Sequence, residues 1–386
     1  VRKEEAMSSR REIDALVRRA WTFVDAGQVA PAAEQFDRAI ALAPDDAALH
    51  LEKGVAMFKL GRHDAALEAF DGALAQAPDD VTATANRAKV LRLLGRDAES
   101  LAGYERALEL APGSVKAMYG RVDALSALGR LDAALTAAEV ALEADPKSPD
   151  GHYWLGHTLL ALGRLEDAKR ELDEAVGGRP GFFDALQDRA RLHQKESRQE
   201  SALNDFVAAQ RVKPEDVGVA LAITEVLIHM GRSGEALGTA QRAMSLDQNN
   251  PLAWRYKGRA HMMQKNPAHG HLCLGMALFL EGEHEAALTD LDKALEHEPR
   301  LGQAWSNKAV IYDKLGRREE ALAAYEKALD IDPRQVAIWN NLGTLLYFHL
   351  GRQDEGLRCF KEVVRLDPPR WFKLPEAVRA QIAAPA

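Results

Sequence analysis

Residues 302–335 read GQAWSNKAVIYDKLGRREEALAAYEKALDIDPRQ. Trp305, Lys308, Ala309 and Tyr312 are spaced i, i+3, i+4, i+7, which is one face of a helix. Ala321, Tyr325 and Ala328, spaced i, i+4, i+7, mark a second helix. Gly316 lies between them, where a residue without Cβ ends a helix in the left-handed region at no steric cost. Pro333 follows the second helix, which cannot easily continue through it. The stretch is a helix-turn-helix unit, and the spacing predicts that its small residues let the two helices approach while a bulky neighbour fills the groove.

The unit recurs. Glycines stand at 27, 61, 95, 129 and 163, always 34 apart, with Ser197 and then Gly231 in the next two slots. The series slips there and resumes at Gly282, Gly316 and Gly351. Prolines follow half a period behind, at 44, 78, 112, 146, 180 and 214, then at 299, 333 and 368. A fixed period of this length is the mark of a repeat array in which each unit packs on its neighbours.

Residues 336–369 carry Trp339, Leu342, Gly343, Phe360 and Pro368, and residues 149–182 carry Leu155, Gly156, Gly163, Ala168, Ala175 and Pro180. On these residues the chain resembles the tetratricopeptide repeat family, whose 34-residue unit has Trp-x2-Leu-Gly-x2-Tyr, then Ala-x3-Phe, then Ala and Pro. The last repeat departs from it by one extra residue before Gly351 and by Gly356 where alanine is usual. The resemblance spans residues 13–369 and implies an all-α, right-handed superhelical solenoid of 34-residue helix-turn-helix repeats, first helices lining a concave face.

One place breaks the period. WRYKGRAHMMQKNPAHGHLCLGMALF, residues 254–279, begins a first helix at Trp254 and Gly258 and begins another at Leu274 and Gly275. The organisation reads as an N-terminal extension (1–12), seven repeats (13–250), a half-repeat (251–267), three repeats (268–369) and a C-terminal capping segment (370–386). Three arrangements fit the interruption. In the first, the half-repeat caps one array and a second array follows. In the second, the helix from 268 takes the vacant second-helix slot. In the third, half a repeat is missing from the sequence. The first is favoured, because both helices carry first-helix packing residues and Asn266-Pro267 makes a good helix start. Leu252, Tyr256, Met262 and Met263 are too apolar for a solvent-facing cap, so the second array is expected to dock there.

The 50 basic and 58 acidic residues give −8, which is the wrong sign for a nucleic-acid binder. The longest apolar run, residues 272–280, is too short to span a bilayer, so no membrane insertion is expected. Two cysteines and an N-terminal stretch without an apolar signal core point to a cytoplasmic setting. There is no phosphate loop, GxSxG or HExxH, so no enzyme activity and no cofactor are expected. In HGHLC, His269 and Cys273 share a helix face, but two more convergent ligands are missing and no metal site is expected.

What remains is binding. Tyr119, Tyr153, Trp154 and His157 are first-helix residues off the packing positions, with the composition of an interaction hot spot; rings at helical spacing also serve as core. Arg191, Arg255 and Arg259 could receive a carboxylate. Asn307, Asn340 and Asn341, with Asn86 earlier, offer amides able to grip an extended backbone, a use the resemblance supports. The expected function is a non-catalytic scaffold or adaptor binding a peptide segment or partner protein on the concave face. Alternatives are a regulatory or substrate-recruiting subunit of a separately encoded enzyme, and a homo-dimer joined through apolar solenoid ends.

Some members of the family hold acidic chaperone tails in a carboxylate clamp. Asn86 and Lys116 match two of its places, while Leu51, Val55 and Gly120 occupy the other three. A peptide ending in EEVD is therefore expected to bind weakly, and a titration giving a dissociation constant below about 1 μM would contradict this.

Overall fold

The computed structural model describes residues 2–382, with side chains from residue 9. The described residues are helical throughout, with no strand. They form two compact units, Val1–Leu192 and His193–Ala386. The first contains the pairs α1 (Arg2–Asp25) and α2 (Val29–Leu42), α3 (Ala47–Lys59) and α4 (His63–Gln76), α5 (Val81–Leu93) and α6 (Asp97–Leu110). These are followed by α7 (Val115–Ala127) and α8 (Leu131–Ala144), then α9 (Pro149–Ala161) and α10 (Leu165–Gly178). Helix α11 (Phe183–Lys195) runs to the end of this unit, its last turn falling in the next.

Several pairs are closed by a small residue under a large one. A Cβ on Gly54 of α3 would lie 2.5 Å from the Phe70 ring of α4, and one on Gly156 of α9 would lie 2.9 Å from Leu172 of α10. The two contacts share one sequence offset, so one spacing sets one approach. The turns are equally regular. Gly61 sits at φ 70°, with its N–H on Phe58 O and the next N–H, from Arg62, on Met57 O. This closure satisfies carbonyls left open at the end of a helix. The first helices α5 and α9 are capped at their start by Asp80 and Ser148, which accept from the N–H groups of Ala83 and Gly151.

The second unit continues with α12 (Gln199–Val212), α13 (Val217–His229), α14 (Ser233–Leu246), α15 (Pro251–Met263), α16 (Pro267–Leu280) and α17 (His284–His297). Then come α18 (Gly302–Lys314), α19 (Arg318–Ile331), α20 (Val336–Thr344) and α21 (Gln353–Leu366), with a short helix, α22 (Glu376–Arg379), near the end.

The packing around α16 corrects the favoured sequence reading. The second helix of the unit that starts at Pro251 is not absent, because α16 packs on α15 in that role. A Cβ on Gly258 of α15 would meet Leu274 Cγ and Gly270 O at 3.0 Å, and one on Gly270 would meet Met262 Sδ at 2.7 Å. The same helix is the first-helix partner of α17, where a Cβ on Gly275 would meet Leu291 Cγ at 3.0 Å. This is the second of the three arrangements. Gly270, Leu274 and Ala277 form one contact face, and Gly275 belongs to another. A helix packed on two sides must be apolar around most of its circumference, and PAHGHLCLGMALFL is.

Lys265 occupies the turn between α15 and α16 at φ 59°, and Ser197 occupies the earlier glycine-free turn at φ 60°. Both keep the glycine turn's hydrogen bonds: Arg198 N to His193 O at 2.8 Å and Asn266 N to His261 O at 3.0 Å. The two departures of the last repeat also have one cause. After α20 the chain widens into a π turn, Leu345–His349, which absorbs the extra residue. The widened turn brings Tyr347 against α21, where a Cβ on Gly356 would lie 2.7 Å from Tyr347 Cβ and 2.9 Å from its backbone N.

Replacing Ser197 or Lys265 by glycine should stabilise the chain by about 1 kcal/mol each, since a side chain in the left-handed region costs that much. Gly356→Ala should destabilise it, because the obstruction is backbone. Urea unfolding midpoints test all three, and a Ser197→Gly variant no more stable than the parent would contradict the turn assignment.

Candidate functional site

One first-helix position along the N-terminal unit reads Lys89, Asp123, His157 and Arg191, each 34 from the last, with Lys89 and Arg191 exposed and Asp123 and His157 half-buried. The structure ties most of this stripe together. Arg92 on α5 donates to Asp123 on α7 at 3.2 Å and lies 3.3 Å from Asp97. His157 Nδ1 on α9 is 2.7 Å from Asp188 Oδ2 on α11, and Arg191 Nη1 donates to the other oxygen of Asp188 at 2.9 Å. Asp188 is only 4% exposed, so its carboxylate is a fixed post between a histidine and an arginine.

Rings surround the post. Tyr153 lies 4.8 Å from Phe182 and 5.0 Å from Trp154, and Trp154 meets His157 edge-on at 5.8 Å. Arg179 caps the outside of Phe182, its guanidinium carbon 3.6 Å from the ring centre. Tyr119 donates to Ser148 Oγ at 2.9 Å, and the same hydroxyl caps α9. The hydrogen bond to Asp188 raises the His157 pKa above its ordinary value, against the lowering effect of burial. Burial raises the Tyr153 hydroxyl strongly, with Asp188 adding to it, and burial also raises Asp123 against the pull of Arg92.

The structure sorts the ten residues singled out in the sequence. Tyr153 is buried at 9% and belongs to the core of its unit. Trp154, His157 and Tyr119 are half-buried and keep an exposed edge. Arg191 joins His157 through Asp188. Arg255 and Arg259 lie in the second unit, where Arg255 clasps both oxygens of Glu281 at 2.6 Å. Arg259 is exposed on α15, whose buried Tyr256 has its hydroxyl pushed up to about 12 by burial and by Glu225. Asn341 gives its side chain to the Tyr325 hydroxyl, Asn340 is half-buried, and Asn307 holds a buried Nδ2 with no hydrogen-bond partner. Asn86 accepts from Lys116 at 2.6 Å.

Sequence reasoning also offers Asp123 beside Tyr119 on the first helix of 115–148, but it misses Asp188 and Arg92, each of which reads as one more charged residue on a helix surface. The HGHLC residues disperse. His271 Nδ1 meets Asp290 at 2.8 Å, the His269 ring lies 5.5 Å from that of His261, and burial pushes the Cys273 thiol to about 11. Among the described residues no three metal-ligating side chains converge, and no helix is long and apolar enough to cross a membrane.

Stacked helix pairs with polar groups displayed on their first helices define a helical repeat protein. Profiles described as tetratricopeptide repeat match residues 17–81, 59–115, 94–152 and 127–192, then 268–289, 302–335 and 324–358. The chain belongs to the tetratricopeptide repeat family. It is similar in fold to a human IFIT1 dimer with m7Gppp-AAAA, at 17% identity and a TM-score of 0.54, covering 81% of this chain and 80% of that one. A human IFIT1 dimer with PPP-AAAA matches at 18% and 0.53, covering 85% and 86%. A thermophilic tetratricopeptide repeat protein from Thermus thermophilus is 24% identical with a TM-score of 0.44, covering 47% of this chain and 99% of that one. Among curated proteins none matches the chain.

His157 gives the site a pH signature. Its pKa is raised in the folded chain, so the stability it contributes is complete below the ordinary histidine value of about 6.5 and is lost as pH rises through the folded value. The stability difference between the parent and His157→Gln, measured by urea unfolding, should therefore be largest at about pH 5.5 and shrink by about pH 8.5. A difference independent of pH would show that the pair adds nothing through its charge.

Proposed function

We propose that the chain is a non-catalytic scaffold or adaptor that binds a peptide segment or partner protein on the first-helix face of its N-terminal unit. One observation carries this reading: buried Asp188 holds His157 and Arg191 in place beside the exposed edge of Trp154. Binding groups fixed in advance lose little freedom on association, which is where affinity is otherwise forfeited. Trp154 and Arg191 are the anchors, His157 is the adjustable donor, and Tyr119 extends the surface along α7. Tyr153 supports the anchors from behind. In the second unit the half-buried Asn340 is the asparagine left to meet a peptide backbone, because the Asn307 Nδ2 is buried and Asn341 is engaged by Tyr325.

The IFIT1 structures hold m7Gppp-AAAA or PPP-AAAA. The stripe here sets Asp123 between Lys89 and His157, and the chain carries −8, which favours a peptide of mixed charge over a polyphosphate. The same surface serves equally in a recruiting subunit of a separately encoded enzyme.

Paired affinity capture from host lysate, with the intact chain and a Trp154→Ala/Arg191→Ala variant as baits, tests the reading. Arg191→Ala alone provides a bait with no ring removed, and circular dichroism checks each fold. The expected result is a partner recovered by the intact chain and lost from the double variant. A partner recovered equally by all three baits would remove the site from this face.

A further inference from the structure

Helices α14 and α16 both pack on α15, and a groove of about 490 Å³ runs between them. Met244, Trp254, Met276, Phe279 and Leu280 make its floor, the first buried and the others half-buried. Gln241, Ser245, Gln248 and Asn249 make its rim, and all four are exposed. None of these residues is charged. The corresponding groove between α4 and α6 is lined in part by Asp71, Arg87, Glu99 and Arg106. The one between α19 and α21 presents Glu326, Asp330, Arg358 and Lys361. Two ion pairs of those grooves are replaced here. Arg87 meets Asp71 at 2.5 Å, but 170 residues later, five periods on, Lys257 meets the neutral Gln241 Oε1 at 3.1 Å. The tenth and thirteenth residues of α6 are Arg106 and Glu109, paired at 2.9 Å, and those of α21 are Glu362 and Arg365, paired at 2.6 Å. In α16 the same stations hold Met276 and Phe279. The double packing of α16 supplies a reason. Phe279 also packs against the core that α16 shares with α17 and α18, so its station must be apolar. The helix that serves two neighbours thus leaves an ion-free groove on its α14 side.

Charge and hydrogen bonding together select the occupant. An ion entering the groove would lose its hydration against Met244, Trp254 and Met276 and find no opposite charge on the lining. An apolar side chain loses nothing there, and the two thioethers adapt to its shape. The rim is made of neutral groups that both give and accept. Gln241, its oxygen taken by Lys257, keeps its Nε2 to donate. Ser245 gives its hydroxyl hydrogen to Arg242 O at 2.7 Å and keeps its oxygen to accept. Gln248 and Asn249 offer amides that work in both directions. A helix has already paired its own backbone and would leave such a rim idle, whereas an extended chain brings unpaired N–H and C=O groups. We infer that the groove between α14 and α16 docks an extended, uncharged segment of a partner chain. Its apolar side chains rest on Met244, Trp254 and Met276, and its backbone meets the rim amides. The volume suits a few side chains. This site lies in the second unit and does not depend on the reading of the N-terminal face.

The test is methyl spectroscopy of the full chain with carbon-13 on its methionine methyls, titrated with four peptides blocked at both ends. They are the extended neutral GSLQVQLSG, its charged counterparts GSLKVKLSG and GSLEVELSG, and the helix-forming AQLLQQALQQLLQA. The expected result is that GSLQVQLSG moves the Met244 and Met276 methyls, leaves Met57 and Met118 of the first unit unmoved, and binds at least about tenfold more tightly than either charged peptide, since the charged side chains are desolvated without a partner. Met276→Arg, which restores the residue type that α6 carries at this station, should weaken GSLQVQLSG at least about tenfold by the same desolvation, while Met276→Leu should keep it within about twofold because a volume-conserving swap leaves the floor apolar. Circular dichroism checks both folds. No shift up to about 1 mM peptide, shifts confined to other methionines, or tighter binding of a charged or helical peptide overturns the inference. Methyl shifts of Met244 and Met276 that change on dilution of the free chain also overturn it, because a second copy then fills the groove. The Trp154→Ala/Arg191→Ala variant should bind GSLQVQLSG as the parent does. Failure of the capture experiment with this binding intact removes the N-terminal site alone, and loss of this binding with capture intact removes the groove alone.

Discussion

The close approach of the two helices in each pair is the constraint on which the rest of the chain depends. Gly54 under Phe70, Gly156 under Leu172 and Gly275 under Leu291 leave no room for a Cβ. In these pairs the small residue and its bulky partner stand at one offset, so one approach is repeated along the chain. Stability then accumulates from neighbour to neighbour. The first-helix residues that point away from this contact are released from packing, and Trp154, His157 and Arg191 lie among them, while Tyr153 does not.

Helix α16 shows what happens when one segment meets two such constraints. Read from Pro251, its Gly270, Leu274 and Ala277 stand where Ala66, Phe70 and Ala73 stand relative to Ala47. Read from Ala268, its Leu274, Gly275 and Leu278 are a first-helix set. A single template finds only one of these, which is why the sequence reads as a half-repeat. The turn before it is hidden in the same way. Lys265 falls one full period after Gly231, in step with the glycine series, but a search for glycine passes over it. The left-handed region is open to lysine at a modest cost, so an array can lose the glycine and keep the turn.

The fold was legible because helix pairs repeat a geometric requirement, and repetition averages out exceptions. The site was legible only in part. Helical spacing selects Tyr153 and Trp154 together, yet spacing along one helix cannot say how deep each ring goes. Phe182 and Arg179, from beyond the helix, decide that Tyr153 is enclosed and Trp154 is not. The converse holds for Asp188, a charged residue whose sequence neighbours suggest solvent and whose burial is made tolerable by His157 and Arg191 on either side. In sequence Asn341 reads as a peptide-binding amide, but its side chain is engaged by Tyr325, a contact from the preceding helix that one-helix reasoning does not see.

Charge differentiates the repeats of the N-terminal unit. Arg92 and Arg191 are matched by Asp123 and Asp188, which hold them in place across neighbouring first helices and within α11. Lys89 on α5 and Lys116 on α7 break this matching: one stands over the Phe58 ring, the other is held by the Asn86 amide oxygen, and among the described residues neither meets a carboxylate. The repeat fixes where a first-helix side chain stands, and its neighbours decide whether its charge is neutralised, so a regular array comes to carry distinct groups along one face.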